Sequence, residues 1–478
     1  MSGAKPRRFD GHILVVLILM LGVGQLPPVG ALTETGMKGA GIVIGILYGW
    51  IFSSTVWTSF LGLLMLAWQA VLPFDEVLAM SFGSKTTMLV LFSFILAAVM
   101  EQNQVSRYVG VWLLSRPVLV GRPWAFSLIV LITAFLLGTF VLPVVGVLLC
   151  WSLLYHVFEQ IGCDKRSPYA QVMVVGVAFA GALSLGGLPW QVVPQVILGA
   201  YPSITGASLD YFDYVLFTWP MVALLLAGYI LLGKYVFRID VAPLAAVKTD
   251  ALFAGQGLVL NRRMTLCLLL LALYIVMMLL PSILPSDWAF TTLFAAIGPS
   301  GTLMLLLVLM MWIRLEGVPL LNFQKAAPAI QWEAVILTAT AMPISYLMIS
   351  EETGILDTLL GVAGVVLQGQ SLFVVWLLSM LFLGIFSNVF SCLGVLLLPL
   401  LCSYAVQLDA QPAMLAVPML IFANLALLTP AGSPVAALLH SNGKWVDKRI
   451  IYKFGGSAIL VGYVLVLTLG YVWALIVF

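Results

Sequence analysis

Long apolar runs separated by short polar breaks fill almost the whole sequence. They lack the two-residue alternation of β-strands, so we predict membrane helices rather than a barrel. The predicted spans lie near residues 13–31, 40–53, 55–72, 84–100, 169–200, 212–234, 264–281, 290–312, 330–350, 412–440 and 454–477. Boundaries of this kind carry errors of several residues.

Two further uncharged runs, 125–157 and 371–403, have 33 residues each. At about 1.5 Å per residue, two crossings and a turn need more than about 40 residues. We therefore predict two re-entrant hairpins that return to the side they left. Irregular backbone at membrane depth is tolerated only where it lines a cavity or is buried in protein. The hairpin tips are thus candidate binding sites.

The two halves of the chain contain the same features in the same order. Glu101–Val105 and Glu351–Ile355 each follow an apolar span, 250 residues apart. The same offset aligns Leu137-Gly138-Thr139 with Ser387-Asn388-Val389, each within a hairpin. Gly187-Leu188-Pro189 and Leu428-Thr429-Pro430 then each interrupt a long apolar segment. Chance similarity among apolar segments is the alternative to a true repeat.

An odd number of predicted crossings separates the hairpins, so the repeats are inverted, as in many secondary transporters. The predicted fold is an all-α polytopic membrane protein with about 11 transmembrane helices, two hairpins and two broken helices. The predicted divisions are a cytoplasmic N-terminus with the first helix (1–39), a first repeat (40–240, with hairpin 125–157 and broken helix 169–200), a cytoplasmic linker (241–263) and a second repeat (264–478, with hairpin 371–403 and broken helix 412–440).

The placement of basic residues predicts the orientation. With a cytoplasmic N-terminus, 19 of the 21 lysines and arginines fall on the inner side, and only Lys38 and Lys85 fall outside. Positive residues accumulate in cytoplasmic loops, so this bias is strong. It predicts a multi-pass protein of the cell (inner) membrane with an extracytoplasmic C-terminus.

Composition agrees with a membrane protein and narrows the function. Hydrophobic residues make up 63% of the chain and charged residues 8%, which no soluble domain of 478 residues could hide. The sequence contains no nucleophile elbow, phosphate-binding loop, zinc spacing or nucleic-acid patch. We therefore expect neither an enzyme nor a nucleic-acid partner, and the lipid bilayer is the expected surrounding.

The second tip has the chemistry of a binding site. Ser387 offers a hydroxyl, and Asn388 offers both a carbonyl and an NH2 group, so one site can contact a cation and an anion. Thr429-Pro430 resembles a helix N-cap followed by proline at the first helical position. Helix N-terminal N–H groups suit an anion, and the free carbonyls of the half-helix ending near Phe386 suit sodium. The alternative is that Ser387 and Asn388 only join packed helices.

These residues carry a family resemblance. The chain resembles the divalent anion:sodium symporters, which transport di- and tricarboxylates or sulfate, in its order of spans and hairpins. Family members have Ser-Asn-Thr at both tips and a Thr-Pro turn in each following broken helix. This sequence keeps Ser387 and Asn388 but has Val389 in place of threonine. Its first tip keeps only Thr139, and its first turn has Leu188 before Pro189.

The resemblance implies a set of site residues. The implied substrate ligands are Ser387, Asn388, Val389, Thr429, Pro430, Gly138, Thr139 and Pro189. The implied sodium ligands are Asn388, Ser387, Phe386 and Leu428 in the second repeat, and Thr133, Gly138 and Gly187 in the first. Because the Ser-Asn pair is missing from the first tip, the existence of the first sodium site is left open. Thr133 and Ser184 also fit ordinary span residues bonded to their own backbone.

The predicted function is a secondary carrier for a small divalent anion, most simply a sodium-coupled dicarboxylate symporter. No Asp, Glu, Lys or Arg lies in 125–157, 371–403 or 410–443, so a proton relay has little support. A sodium-independent anion exchanger, another anion such as sulfate, citrate or arsenite, an anion channel and a non-transporting sensor remain alternatives. The resemblance also implies a homodimer formed by scaffold spans near 40–100 and 264–350.

Overall fold

The computed structural model describes residues 11–116, 119, 121–241, 259–285, 287–388, 394–430 and 432–478. The described chain is mostly helical, and its strands form one two-residue antiparallel pair among the described residues, β1 (Arg314–Leu315) and β2 (Val318–Pro319). The helices are α1 Gly11–Gly22, α2 Glu34–Phe52, α3 Thr55–Trp68, α4 Phe74–Met80, α5 Lys85–Gln102, α6 Val105–Leu114, α7 Pro123–Phe140, α8 Pro143–Gln160, α9 Pro168–Leu183, α10 Val192–Leu198, α11 Tyr201–Thr205, α12 Tyr211–Val236, α13 Arg262–Ile283, α14 Ala289–Trp312, α15 Phe323–Ala326, α16 Trp332–Ile349, α17 Ile355–Leu367, α18 Leu372–Phe386, α19 Gly394–Gln407, α20 Ala413–Asn424, α21 Pro434–Ser441 and α22 Lys448–Val477.

Nine helices in the described ranges are long and apolar enough to cross a membrane, which confirms the all-α polytopic fold. They are α2, α5, α7, α8, α9 with its 3-10 extension, α12, α13, α16 and α22. The first predicted span is shorter than expected, because α1 ends at Gly22 and a 3-10 turn ends at Gln25, before Pro27 and Pro28. Proline removes the N–H that a continuing helix would need.

Two other predicted features differ in the structure. The span 290–312 is bent, because Gly298 has a φ of +64° and Pro299 follows it inside α14. Each arm of the first predicted hairpin has 18 residues, α7 and α8, which at about 1.5 Å per residue is about 27 Å. That length lies within the range of transmembrane helices, so length does not decide between a re-entrant hairpin and two crossings.

The helices form two compact units. The first comprises Met1–Thr87 and Gln331–Gln370, and the second comprises Met88–Ile330 and Ser371–Phe478. Within the first unit α1 packs against α2, where Gly41 and Gly45 leave room for Val23 and Met20. The Gly41-x-x-x-Gly45 spacing typical of close helix packing therefore has that role here. The predicted scaffold spans, 40–100 and 264–350, do not all fall in one unit, because 264–330 lies in the second unit.

The second unit contains every predicted site residue that the structure describes, and it repeats one arrangement. In its first part α7 packs against α8, and both pack against α9. In its later part α18 and α19 likewise pack against each other and against α20. A non-α-helical stretch follows each half-helix: 184–191 follows α9, and the described residues 425–430 and 432–433 follow α20. The short helices α10 and α21 come next. Both stretches fall inside the segments 169–200 and 412–440.

Candidate binding site at the broken helices

Asn388 connects the second tip to the second broken helix. It follows α18, which ends at Phe386 as predicted. Its side-chain Nδ2 donates to the carbonyl of Gly384 (3.0 Å), and its Oδ1 accepts from the backbone N–H of Leu428 (3.1 Å). The hydroxyl of Thr429 donates to the carbonyl of Asn388. The structure therefore brings together Asn388, Leu428 and Thr429, three of the predicted site residues.

Ser387 is fully buried beside Asn388 and joins helices. Its hydroxyl lies 3.1 Å from the carbonyl oxygen of Gly384 and 3.2 Å from that of Phe422 in α20. Phe386, the predicted carbonyl ligand of sodium, has a side chain that is 46% exposed and rests on the ring of Phe382. Val389 lies outside the described residues. Ser387 thus has the helix-joining role that the sequence left as its alternative.

The second turn begins its helix later than predicted. Thr429-Pro430 lies within the turn, and the N-cap is Ser433, whose hydroxyl accepts from the N–H of Ala436 (3.0 Å). Pro434 then occupies the first helical position. The prediction that Thr429-Pro430 caps the helix is wrong, because a second pair of the same type follows four residues later. This displacement frees the Thr429 hydroxyl to bond Asn388.

A cavity of about 400 Å³ opens at this turn. That volume falls in the usual range of small-molecule sites. Lys448 is the only Asp, Glu, Lys or Arg among the described lining residues. His440 contacts the turn through its Nε2, 3.1 Å from the carbonyl oxygen of Leu427. The lining consists of Leu428, Thr429, Pro430, Ala437, His440, Ser441, Lys448 and Tyr452.

The first tip differs from its predicted position. Leu137, Gly138 and Thr139 lie in the last turn of α7, and the connection to α8 is Val141-Leu142. The reason is Pro143, which starts α8 and holds the preceding Leu142 extended. Gly138 is needed here, because any Cβ would clash with the Ser184 hydroxyl.

The hydroxyls expected to be ordinary span residues are indeed bonded to their own helix. Thr133 is buried, and its hydroxyl donates to the carbonyl of Ile129 (2.7 Å). Ser184 likewise donates to the carbonyl of Gly181 (2.7 Å). Of the predicted first sodium set, Gly138 packs against Ser184 and Gly187 lies in the turn, whereas the Thr133 hydroxyl is bonded within its own helix.

A single glutamine takes the place of the missing asparagine at the first turn. Gln191 accepts from the N–H of Leu188 (3.0 Å) through Oε1 and donates from Nε2 to the carbonyl of Thr139 (2.8 Å). In the second half Asn388 accepts from Leu428, and Thr429 donates to the tip. Gln191 thus satisfies a turn N–H and a tip carbonyl, the same kinds of group that Asn388 and Thr429 satisfy in the second half, although only its bond to Thr139 joins the turn to the tip.

The other carbonyls of the first turn also accept side-chain donors. The carbonyl of Gly186 accepts from the Tyr214 hydroxyl (2.7 Å), and that of Gly187 accepts from Trp219 Nε1 (2.9 Å). Pro189, a predicted substrate ligand, has its carbonyl bonded by Gln195 Nε2 (2.8 Å). These donors hold the turn in one conformation.

Several residues that bond the tips and turns were not identified from the sequence. Gln191, Gln195 and Asn424 are amides in uncharged apolar segments, and that rarity is the signal that could have found them. Tyr214, Trp219 and Tyr463 carry no such signal, because aromatic residues are common at membrane interfaces. Their partners lie 28, 32 and 79 residues away in the chain. The Tyr463 hydroxyl donates to the carbonyl of Gly384, which also accepts from Asn388. Only the folded chain reveals those contacts.

Comparisons with known proteins agree with this architecture. A family model described as a citrate transporter matches residues 43–393, which is more than half of the chain. A curated protein named sodium-dependent dicarboxylate transporter SdcS, from Staphylococcus saprophyticus, is 23% identical over 473 residues. That match covers 92% of this chain and 86% of the relative. The chain therefore belongs to the citrate transporter family of secondary transporters, as its resemblance to the divalent anion:sodium symporters indicates.

Proposed function

We propose that this chain is a sodium-coupled carrier for a small dicarboxylate. The observation that carries the proposal is the bonded group of Asn388, Leu428 and Thr429 beside the 400 Å³ cavity. Leu428 and Thr429 belong both to that group and to the cavity wall, so a bound solute would contact the element that joins tip to turn. In a carrier of this type the hairpin and the broken helix that it contacts move together as one unit.

The polarity of the cavity favours an anion. Among the lining residues, Thr429 and Ser441 offer hydroxyl groups and Lys448 offers an ammonium group. A dicarboxylate has two negative groups, and neutral donors with one cation can bind both without a strongly charged interior. The proposed substrate ligands are Ser387, Asn388, Val389, Thr429 and Pro430 in the second half, and Gly138, Thr139 and Pro189 in the first.

The proposed coupling ion is sodium. The described parts of the hairpins and broken helices contain no Asp, Glu, Lys or Arg, so their ligands are neutral oxygens. Unwound carbonyls and the carboxyl ends of half-helices are typical sodium ligands in transporters. The named function of the Staphylococcus saprophyticus relative supports the same ion. Asn388, Ser387, Phe386 and Leu428 are the proposed ligands in the second half.

The repeated order of helices supports alternating access by inverted repeats, 40–240 and 264–478. We include in the proposal two re-entrant hairpins, a cytoplasmic N-terminus and an extracytoplasmic C-terminus in the cell (inner) membrane. The excess of basic residues in the predicted inner loops supports that orientation. A homodimer is proposed from the resemblance.

A thermal-shift screen of the purified protein tests the ligand class. We expect succinate or malate at 100 times its dissociation constant to stabilise the protein by about 2.7 kcal/mol, with a larger effect when sodium is present. Sulfate, phosphate, citrate and arsenite, each with and without sodium, serve as comparisons. Stabilisation by sulfate or arsenite alone would contradict the dicarboxylate assignment, and equal stabilisation in choline and sodium would contradict sodium coupling.

A further inference from the structure

Three side chains join α8, in the first half of the chain, to the loop 442–447 between α21 and α22. The Tyr155 ring of α8 stacks on the Trp445 ring, with centroids 4.1 Å apart and an interplanar angle of 4°. The Tyr155 hydroxyl accepts a hydrogen bond from Asn442 Nδ2 (2.7 Å). Trp445 is 6% exposed, and its ring also lies 5.6 Å from that of Phe158. We call Tyr155, Asn442 and Trp445 the clamp.

The clamp fixes the place where α22 begins. The backbone carbonyl of Asn442 accepts from the N–H groups of Trp445 (3.0 Å) and Val446 (3.2 Å), so the loop closes on itself. The Asp447 carboxylate then caps α22 by accepting from a backbone N–H of its first turn (3.1 Å). Lys448 is the first residue of α22 and follows directly. The backbone that carries Lys448 is therefore held by α8.

Both ends of this loop border the cavity at the second turn. Ser441 precedes the loop and Lys448 follows it, and both line the cavity together with Thr429. A dicarboxylate has a negative charge at each end, so a cation beside the neutral groups of the turn can bind one carboxylate while the turn binds the other. A monocarboxylate would leave one of these contacts unmade.

We propose that Tyr155 and Trp445 are positioning residues for Lys448, and that Lys448 binds one carboxylate of the dicarboxylate. Lysine has a flexible four-carbon stem, so the place of its ammonium group depends on where its backbone is held. Neither clamp ring is among the described residues that line the cavity, so both act through Lys448 and not on the solute. The inference rests on the proposed function and adds to it a residue of α8 that sets the affinity for a diacid.

The experiment measures KM and kcat for sodium-driven succinate uptake by the full chain in liposomes. Lys448→Gln removes the charge and should raise the succinate KM about 10-fold or more, with kcat within about 2-fold of the wild type. Lys448→Arg keeps the charge and should keep KM within about 3-fold. Tyr155→Leu and Trp445→Leu should each raise KM about 5-fold or more, whereas Tyr155→Phe loses only the hydroxyl and should raise it about 3-fold.

A double-mutant cycle separates positioning from packing. In the Lys448→Gln background, Tyr155→Leu and Trp445→Leu should raise KM no further, because the cation that they position is gone. Tyr48→Leu is the matched control and should leave KM unchanged. Tyr48 likewise has a ring contact, 4.8 Å from Phe52, and a hydroxyl 2.9 Å from His12 Nδ1, and it lies in the first unit.

The outcomes distinguish this inference from the function on which it rests. An equal rise in KM from Tyr155→Leu with and without Lys448 would reduce the clamp to a packing contact and overturn the proposal. An unchanged KM in Lys448→Gln would also overturn it, while sodium-driven uptake by the wild type would still support the carrier. If Tyr155→Leu does not fold, the cycle with Tyr155→Phe decides by the same criteria. Absence of succinate uptake by the wild type would refute the proposed function, and this inference with it.

Discussion

We expect that replacement of Asn388 by alanine abolishes succinate uptake while the protein stays folded in the membrane. The change removes the acceptor for the Leu428 N–H and the donor to Gly384. Each lost hydrogen bond to a buried partner costs about 1–3 kcal/mol, so uptake should fall to about 1% of the wild type or less. Initial uptake rates in liposomes, normalised to the amount of reconstituted protein, provide the measurement.

Asn103→Ala is the matched control for this variant. Asn103 follows α5, and its amide donates to the carbonyl of Val99 (2.8 Å) outside the hairpins and broken helices. We expect nearly normal uptake from it. Equal uptake by Asn388→Ala and Asn103→Ala would remove Asn388 from the site, whereas loss of the folded peak on size exclusion would show a structural role alone.

Replacement of Gly384 by valine should reduce uptake almost as strongly. The carbonyl of Gly384 accepts from the Tyr463 hydroxyl (2.6 Å) and from Asn388, and it lies close to Ser387. A Cβ at this position would lie 2.7 Å from the Tyr463 ring and 3.0 Å from Phe422. The Tyr463 ring must therefore move and release the carbonyl. We expect at least about a 10-fold loss of kcat/KM, the equivalent of about 1.4 kcal/mol.

The same substitution at Gly361 separates a helix effect from a site effect. Gly361 lies inside α17, and nothing would touch a Cβ there within 4 Å. Both variants lose a helical glycine, but only Gly384→Val disturbs the second tip. If Gly361→Val lowers kcat/KM as much as Gly384→Val, crowding at Tyr463 is not the cause.

The apolar pattern predicts the spans and the two breaks because these features are local. A run of apolar residues and an interrupting proline are visible in the chain itself, and α9 and α20 fall inside the segments 169–200 and 412–440. The exact first residue of a helix is less visible. Thr429-Pro430 and Ser433-Pro434 are equally good starts by type, and only the fold selects the second.

The polar connections of the site could not be predicted, because they depend on distant partners. Gln191 takes over the role of the tip asparagine, but it lies in the turn of the broken helix and not in the hairpin tip. Aligning the two halves position by position therefore does not reveal it. Asn424 stands out because its buried side-chain carbonyl oxygen has no hydrogen-bond partner. Only the packed interior shows this, since the sequence does not tell which atoms are buried. The sequence pointed to the second tip through its Ser-Asn pair, but nothing in it indicated that Gln191 makes the polar contacts of the first turn.

The carrier proposal and its rivals differ most in whether solute accumulates. Liposomes that contain the purified chain and are diluted into labelled succinate with an inward sodium gradient should concentrate succinate above the outside level, with saturable uptake. Choline in place of sodium should eliminate that accumulation. Uptake that only reaches equilibrium, carries a large current or persists unchanged in choline would contradict a sodium-coupled dicarboxylate carrier.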